Sequence, residues 1–199
     1  LSMEEQNEVG VRFTDTGKAI FFAVADGRVI RTDDLLVPPG VQVVSYAHGG
    51  VDKGVIVYGL SDGRALVVKH DYKLSYPDGK RLITPSISYP MGAEPIVIDG
   101  NGQALSKITV KVGGDQSSFL AKTADNRLLL VSLSKKESMF DDEVSWERTE
   151  AMLDMIGTDV DFMLLDKELR NLYVASSAGD LAVVDISDKS QPVIKHKLT

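Results

Sequence analysis

The 199-residue sequence contains no cysteine, only three histidines and no long apolar run. Without cysteine there can be no disulfide, no thiolate metal ligand and no cysteine nucleophile, although this absence does not fix a compartment. No stretch reaches the roughly 18–20 apolar residues that a membrane-spanning helix requires. The opening residues Leu1-Ser2-Met3-Glu4-Glu5 lack the basic and apolar regions of an export signal. His48, His70 and His196 are not at metal-ligand spacing, and H-E-x-x-H does not occur, so no metal site is expected. P-loop and G-x-G-x-x-G fingerprints are missing too, and no cofactor is expected. Basic residues are outnumbered by acidic ones, for a net charge of −7. Such a surface repels phosphate backbones and anionic membranes, which argues against a nucleic-acid partner.

Hydrophobic residues make up 43% of the chain and charged residues 26%, which is ordinary for a folded globular domain. The organising pattern occurs four times, at residues 19–31, 55–68, 119–131 and 172–184. Each copy has a run rich in Val, Ile, Leu, Phe and Tyr, then a tight turn, then a second such run. Asp26-Gly27, Asp62-Gly63 and Asp125-Asn126 offer the positive φ that a two-residue hairpin turn needs, and Gly179 does so in the fourth copy. Extra strands are expected at 11–14, 161–165 and 193–198, so that residues 161–198 read as four consecutive strands, one propeller blade. A degenerate hairpin is expected at 95–105. Residues 76–79 and 85–95 read as a loop or a poorly patterned blade. Residues 146–156, closed by Gly157, fit a helix, and the first half fits an edge strand equally well.

The expected fold is therefore all-β, with β-propeller-like antiparallel hairpin repeats forming an incomplete propeller of about four blades in a single domain over residues 1–199. The turns are unevenly spaced, a loose match to the roughly 40–50 residues of a typical blade. An incomplete propeller has open sheet edges, and these predict either a homodimer or a missing remainder that covers them.

Motifs with chemical potential are few. Gly59-Leu60-Ser61-Asp62-Gly63 matches G-x-S-x-G, but a nucleophile elbow needs a helix after the turn, and here a strand follows. Residues 99–104 begin like a calcium loop, then place Ala104 and Val110 where Gly and Glu are required, so a tight turn is expected. Asp141-Asp142-Glu143 reads as a solvated loop, and Asp159 with Asp161 as an ordinary carboxylate pair. His48 lies in the loop-like stretch Tyr46-Ala47-His48-Gly49-Gly50 with no partner positioned for it. Arg28, Arg64 and Arg127 follow the turn at one repeat position and are the candidate anion contacts, a guanidinium ring about a propeller axis. Asp180 fills the fourth position and weakens such a ring, and pairing of each arginine with nearby acids is the simpler expectation. No catalytic residues are expected, and the chain is read as not an enzyme.

The stretch from Glu94-Pro95-Ile96-Val97-Ile98-Asp99 through Thr123-Ala124-Asp125-Asn126-Arg127-Leu128-Leu129-Leu130, with residues 164–175 and 11–22, resembles the extracytoplasmic region of extended phosphate-type ABC transporter permeases of Gram-negative bacteria. That resemblance implies a fragment of a longer membrane protein, tethered by flanking helices on the periplasmic side of the inner membrane. It implies a non-catalytic docking or regulatory module in phosphate import, with other transporter subunits or a periplasmic binding protein as partners. Two other readings stand beside it: a free-standing β-propeller scaffold for protein interaction, and a propeller enzyme with a polar site built from loops.

Overall fold

The computed structural model describes residues 2–3, 8–49, 54–113, 115–137, 144–156 and 159–198. Blade 1 consists of β1 (Ser2–Met3), β2 (Val9–Phe13), β3 (Lys18–Ala23) and β4 (Val29–Asp34). Blade 2 consists of β5 (Val43–His48), β6 (Val55–Leu60), the long β7 (Arg64–Ser75) and β8 (Leu82–Ser88), with the short β9 (Ile96–Val97) pairing onto the start of β7. Blade 3 contains β10 (Leu105–Val112), β11 (Gln116–Thr123), β12 (Leu128–Glu137) and β13 (Val144–Met152). Blade 4 contains β14 (Phe162–Leu165), β15 (Asn171–Ala175), β16 (Leu181–Asp185) and β17 (Val193–Leu198). Each blade is an antiparallel sheet whose strands follow one another in chain order. Repeated four-stranded meanders of this kind are propeller blades.

All four repeats form a hairpin of a blade: β6–β7, β11–β12 and β15–β16 are the central hairpins of blades 2, 3 and 4, and β3–β4 is the last hairpin of blade 1. Their turns work as the residue types require. Asn126 adopts φ 65° in the third, the left-handed region that Asn tolerates better than other side chains. Gly63 in the second adopts φ 82°, and a Cβ there would lie 2.7 Å from the Asp99 carbonyl oxygen. This turn therefore needs glycine for both conformation and space.

Because side chains alternate along a strand, each inner blade has two apolar faces and packs against both neighbours. Phe21 of blade 1 meets Ile56, Tyr58 and Val68 of blade 2. Val57 and Val67 on the opposite face of blade 2 meet Phe119 and Val131 of blade 3. Leu120 and Leu130 of blade 3 meet Leu172 and Val184 of blade 4. Three cores thus join four blades in sequence, and no core among the described residues joins blade 4 to blade 1.

Three expectations are decided or changed. Residues 144–152 form the outer strand β13, paired with β12 from Glu137↔Val144 to Leu129↔Met152, which decides between the helix and the edge strand that the sequence left open. Only a short 3-10 turn, Asp154–Ile156, follows, and Gly157 lies outside the described residues. The hairpin expected at 95–105 is replaced by β9 and a loop bound to the Asp99 side chain. Residues 82–88 form β8, so the start of the 85–95 stretch, read as a loop or a poorly patterned blade, belongs to a blade. Pro85 is accommodated there because β8 is an edge strand, where a missing N–H costs no ladder bond.

Candidate functional site

A groove runs beside the outer half of blade 3, between the loop 98–101 and the turn after β13. It comprises two adjoining hollows of about 360 and 480 Å³, with Arg127 and Met152 lining both. Arg127 enters the groove because it follows the β11–β12 turn. Its two terminal nitrogens donate to the Asp99 carboxylate at 3.0 and 2.9 Å, and its Nε donates to Asp125 at 2.8 Å. Asp99 also accepts the backbone N–H groups of Asn101 at 3.2 Å and Gln103 at 2.9 Å. A carboxylate that is 4% exposed is thus held by four donors, which ties the 98–103 loop to blade 3. The Arg127 hydrogen bonds pull the Asp99 carboxyl below its ordinary range, and those of Asp99 and Asp125 push the guanidinium further up.

Arg148 on β13 makes a second tie across the same boundary. It donates to the carbonyl oxygens of Val97 and Ile98 and pairs with Glu150 at 2.9 Å. Lys122 pairs with Asp159 near the far end of the groove. The lining carboxylates Asp99, Glu150, Asp154 and Asp159 outnumber Arg127, the cation among the lining residues. Met152 stands half exposed on the lip shared by both hollows.

The three candidate anion contacts are placed as separate ion pairs. Arg64 pairs with Asp62 at 2.5 Å, Arg127 with Asp99 and Asp125, and Arg28 reaches Asp26 at 4.0 Å. Each arginine is matched by the aspartate of its own turn, the simpler of the two arrangements, and the forks of Arg64 and Arg127 are occupied. Asp180, at the fourth position, accepts hydrogen bonds from Ser176.

The other sequence motifs serve the turns. Ser61 accepts the Gln42 N–H at 3.0 Å in a strand–turn–strand hairpin, which is not an elbow. Asp99 nucleates the tight turn expected at residues 99–104 and carries Arg127. Asp159 and Asp161 part company: Asp159 goes to Lys122, while Asp161 accepts the Ser177 N–H at 2.6 Å. Asp141-Asp142-Glu143 lies outside the described residues. His48 is exposed with its ring edge-on to Tyr46, and His196 is exposed on β17.

His70 differs from both. It is 3% exposed, stacks on Phe13 at 4.5 Å between ring centroids, and neither ring nitrogen has a hydrogen-bond partner among the described residues. Burial pushes its pKa down to about 4. The sequence carried a signal for this: in β7, Leu66, Val68 and His70 fall on one side of the alternation. No sequence signal pairs Asp99 with Arg127.

Comparisons with known proteins bear on blade 4 above all. Residues 171–199 match the family model for the LVIVD repeat. Strand β16 reads Leu181-Ala182-Val183-Val184-Asp185, keeping the first, fourth and fifth letters of that name. No curated protein matches the chain. Among solved structures, the β-propeller domain of Cps50 (Swd1) from Myceliophteria thermophila aligns at 15% identity with a TM-score of 0.45, covering 100% of this chain. The chain spans 57% of the length of that domain.

The resemblance to phosphate-type permeases is overturned. The matching family is a repeat of propeller type, and its match over residues 171–199 overlaps the stretch 164–175 that carried the resemblance. The quoted residues are hairpin strands and turns that any propeller blade can share, so they did not discriminate. The role in phosphate import goes with it. The periplasmic location and the transporter partners lose the support that the resemblance gave.

Proposed function

We propose that the chain is a non-catalytic β-propeller scaffold for protein interaction, taking an extended, basic polypeptide segment in the groove beside blade 3. The observation that carries this reading is the groove itself. Half-exposed Met152, on the outer strand β13, sits between two open hollows whose charged lining residues are four carboxylates and one arginine. An apolar anchor with like-signed charges around it suits a segment that inserts an apolar side chain flanked by lysine or arginine. An outer strand also offers unpaired backbone groups to an added strand. The acidic chain charge would speed the encounter.

The absence of a catalytic role is part of the proposal. Asp99, Asp125, Asp161, Asp166 and Asp185 each accept structural hydrogen bonds that favour their ionised form. The Ser61 hydroxyl is engaged by a backbone N–H.

An array of immobilised 12-residue peptides, with and without paired basic and apolar residues, tests the reading. The chain is expected to retain basic–apolar peptides, and Met152→Asp is expected to weaken the best of them by about tenfold or more. Retention unrelated to basic content, or unchanged by Met152→Asp, would overturn the assignment of the groove.

A further inference from the structure

Blade 4 leaves one face of its sheet uncovered. Phe162 and Leu164 of β14 are 52% and 46% exposed, whereas Met163 and Leu165 between and after them are buried against blade 3. Pairing extends the uncovered side across the sheet: Leu164 lies opposite Tyr173, and Tyr173 opposite Val183. Phe162 and Leu181 both lie opposite Ala175 in the neighbouring row. Six large apolar or aromatic side chains, counting Leu198 opposite Leu181, therefore share one open face.

The repeat shows what such a face is for. Phe21, Val57, Leu120 and Tyr173 occupy the same position ahead of their turn residues Gly27, Gly63, Asn126 and Gly179. The first three are buried in the core shared with the following blade. Beyond the turn, Ala65 with Val67 and Leu128 with Leu130 face the following blade in the same way, and Leu181 with Val183 hold the equivalent places in blade 4. Blade 4 thus presents the half of an interface that receives a next blade.

The other half is on the same chain. Ile56 and Tyr58 of blade 2, Phe119 and Ala121 of blade 3, and Leu172 and Val174 of blade 4 face the preceding blade. The equivalent residues of blade 1 are Ile20 and Phe22, half buried on a side against which no blade of the described residues packs; a Cβ on Gly10 would lie 2.5 Å from the Phe22 ring, so the ring lies over that glycine.

The geometry points to a second copy of this chain as the occupant, blade 4 of each copy packing on blade 1 of the other. The two contacts are identical and continue the stacking already used three times within the chain. An interface between different patches closes into a ring when the rotation allows it. Two four-bladed arcs make eight blades, inside the roughly four to eight that propellers use. This pairing uses sheet faces, which sets it apart from dimerisation through sheet edges.

Sedimentation equilibrium of the whole chain provides the test. The expected mass is twice the 21.6 kDa of one chain. Tyr173→Glu and, separately, Ile20→Glu each place a carboxylate on an open face and are expected to weaken association by about 100-fold or more while leaving the strand signal in circular dichroism unchanged. Mixing the two variants restores one of the two contacts intact, and the mixture is expected to regain dimer mass more strongly than either variant alone. A wild-type chain that stays monomeric at about 100 µM would overturn the inference and leave the faces to another segment or partner. A dimer untouched by both substitutions would overturn it as well.

Discussion

Arg127→Met is expected to lower the unfolding free energy by about 3 kcal/mol, the range for removing one member of a buried, hydrogen-bonded ion pair. The cost arises at Asp99. That carboxylate is almost fully buried and takes two of its four hydrogen bonds from the guanidinium. Methionine fills much of the volume of the arginine stem but leaves the carboxylate with two backbone N–H groups only. The effect carries a pH signature. In the native chain Asp99 titrates below its ordinary 3.8, so the pair contributes above that value and its contribution is lost as pH falls further. In Arg127→Met the depression is relieved, and the gap between native and variant stability should narrow in acid. Urea unfolding at pH 7 and pH 3 measures both quantities. A loss under about 1 kcal/mol would show that Asp99 and its loop are held by the backbone bonds alone.

His70 should make the fold acid-sensitive in a higher window than any of the aspartates. Its native pKa near 4 lies below the ordinary 6.5, because burial penalises the imidazolium and no acceptor among the described residues compensates it. Between those two values the unfolded chain binds a proton that the folded chain does not. Stability is therefore full above about pH 6.5 and falls as pH drops toward 4, by about 3 kcal/mol in all. His70→Leu keeps an apolar side chain in the core formed with Phe13 and removes the titration. The expected result is a variant whose urea midpoint changes little between pH 7 and pH 4.5 while that of the native chain falls. Parallel declines in the two proteins would mean that His70 gains a partner or solvent when protonated.

The four hairpins were legible because their turns need positive φ and their flanks are short and β-rich, a combination that leaves little room for helices. Blade 4 was legible as a whole, since its connections are short. The open face of blade 4 was also written in the chain: Phe162-Met163-Leu164-Leu165 is apolar at both parities, the pattern of a strand meant to be covered on two sides. Strand β13 was legible only as one of two readings. Trp146-Glu147-Arg148-Thr149-Glu150-Ala151-Met152 mixes acidic and apolar residues in a spacing that suits a helix, and only pairing with β12 decides for an edge strand. Blade 2 was blurred by proline at position 85, which an outer strand accepts. The groove was hidden for a different reason. Asp99 reads as a turn residue and Arg127 as a repeat residue, and their union depends on how blades 2 and 3 stack, which no local pattern encodes.

The permease resemblance failed for a related cause. Strand and turn chemistry is common to all hairpin repeats, so similarity at those residues speaks for the fold and leaves the role open.

The four blades form an open arc with complementary ends, and the missing cysteines make this directly measurable. In the variant carrying both Ile20→Cys and Val183→Cys, the only two thiols sit on the two end faces. Mild oxidation followed by non-reducing electrophoresis is expected to give a covalent dimer. A disulfide confined to single chains, running at monomer mass, would mean that blade 4 closes on blade 1 of its own chain and would contradict the open arc.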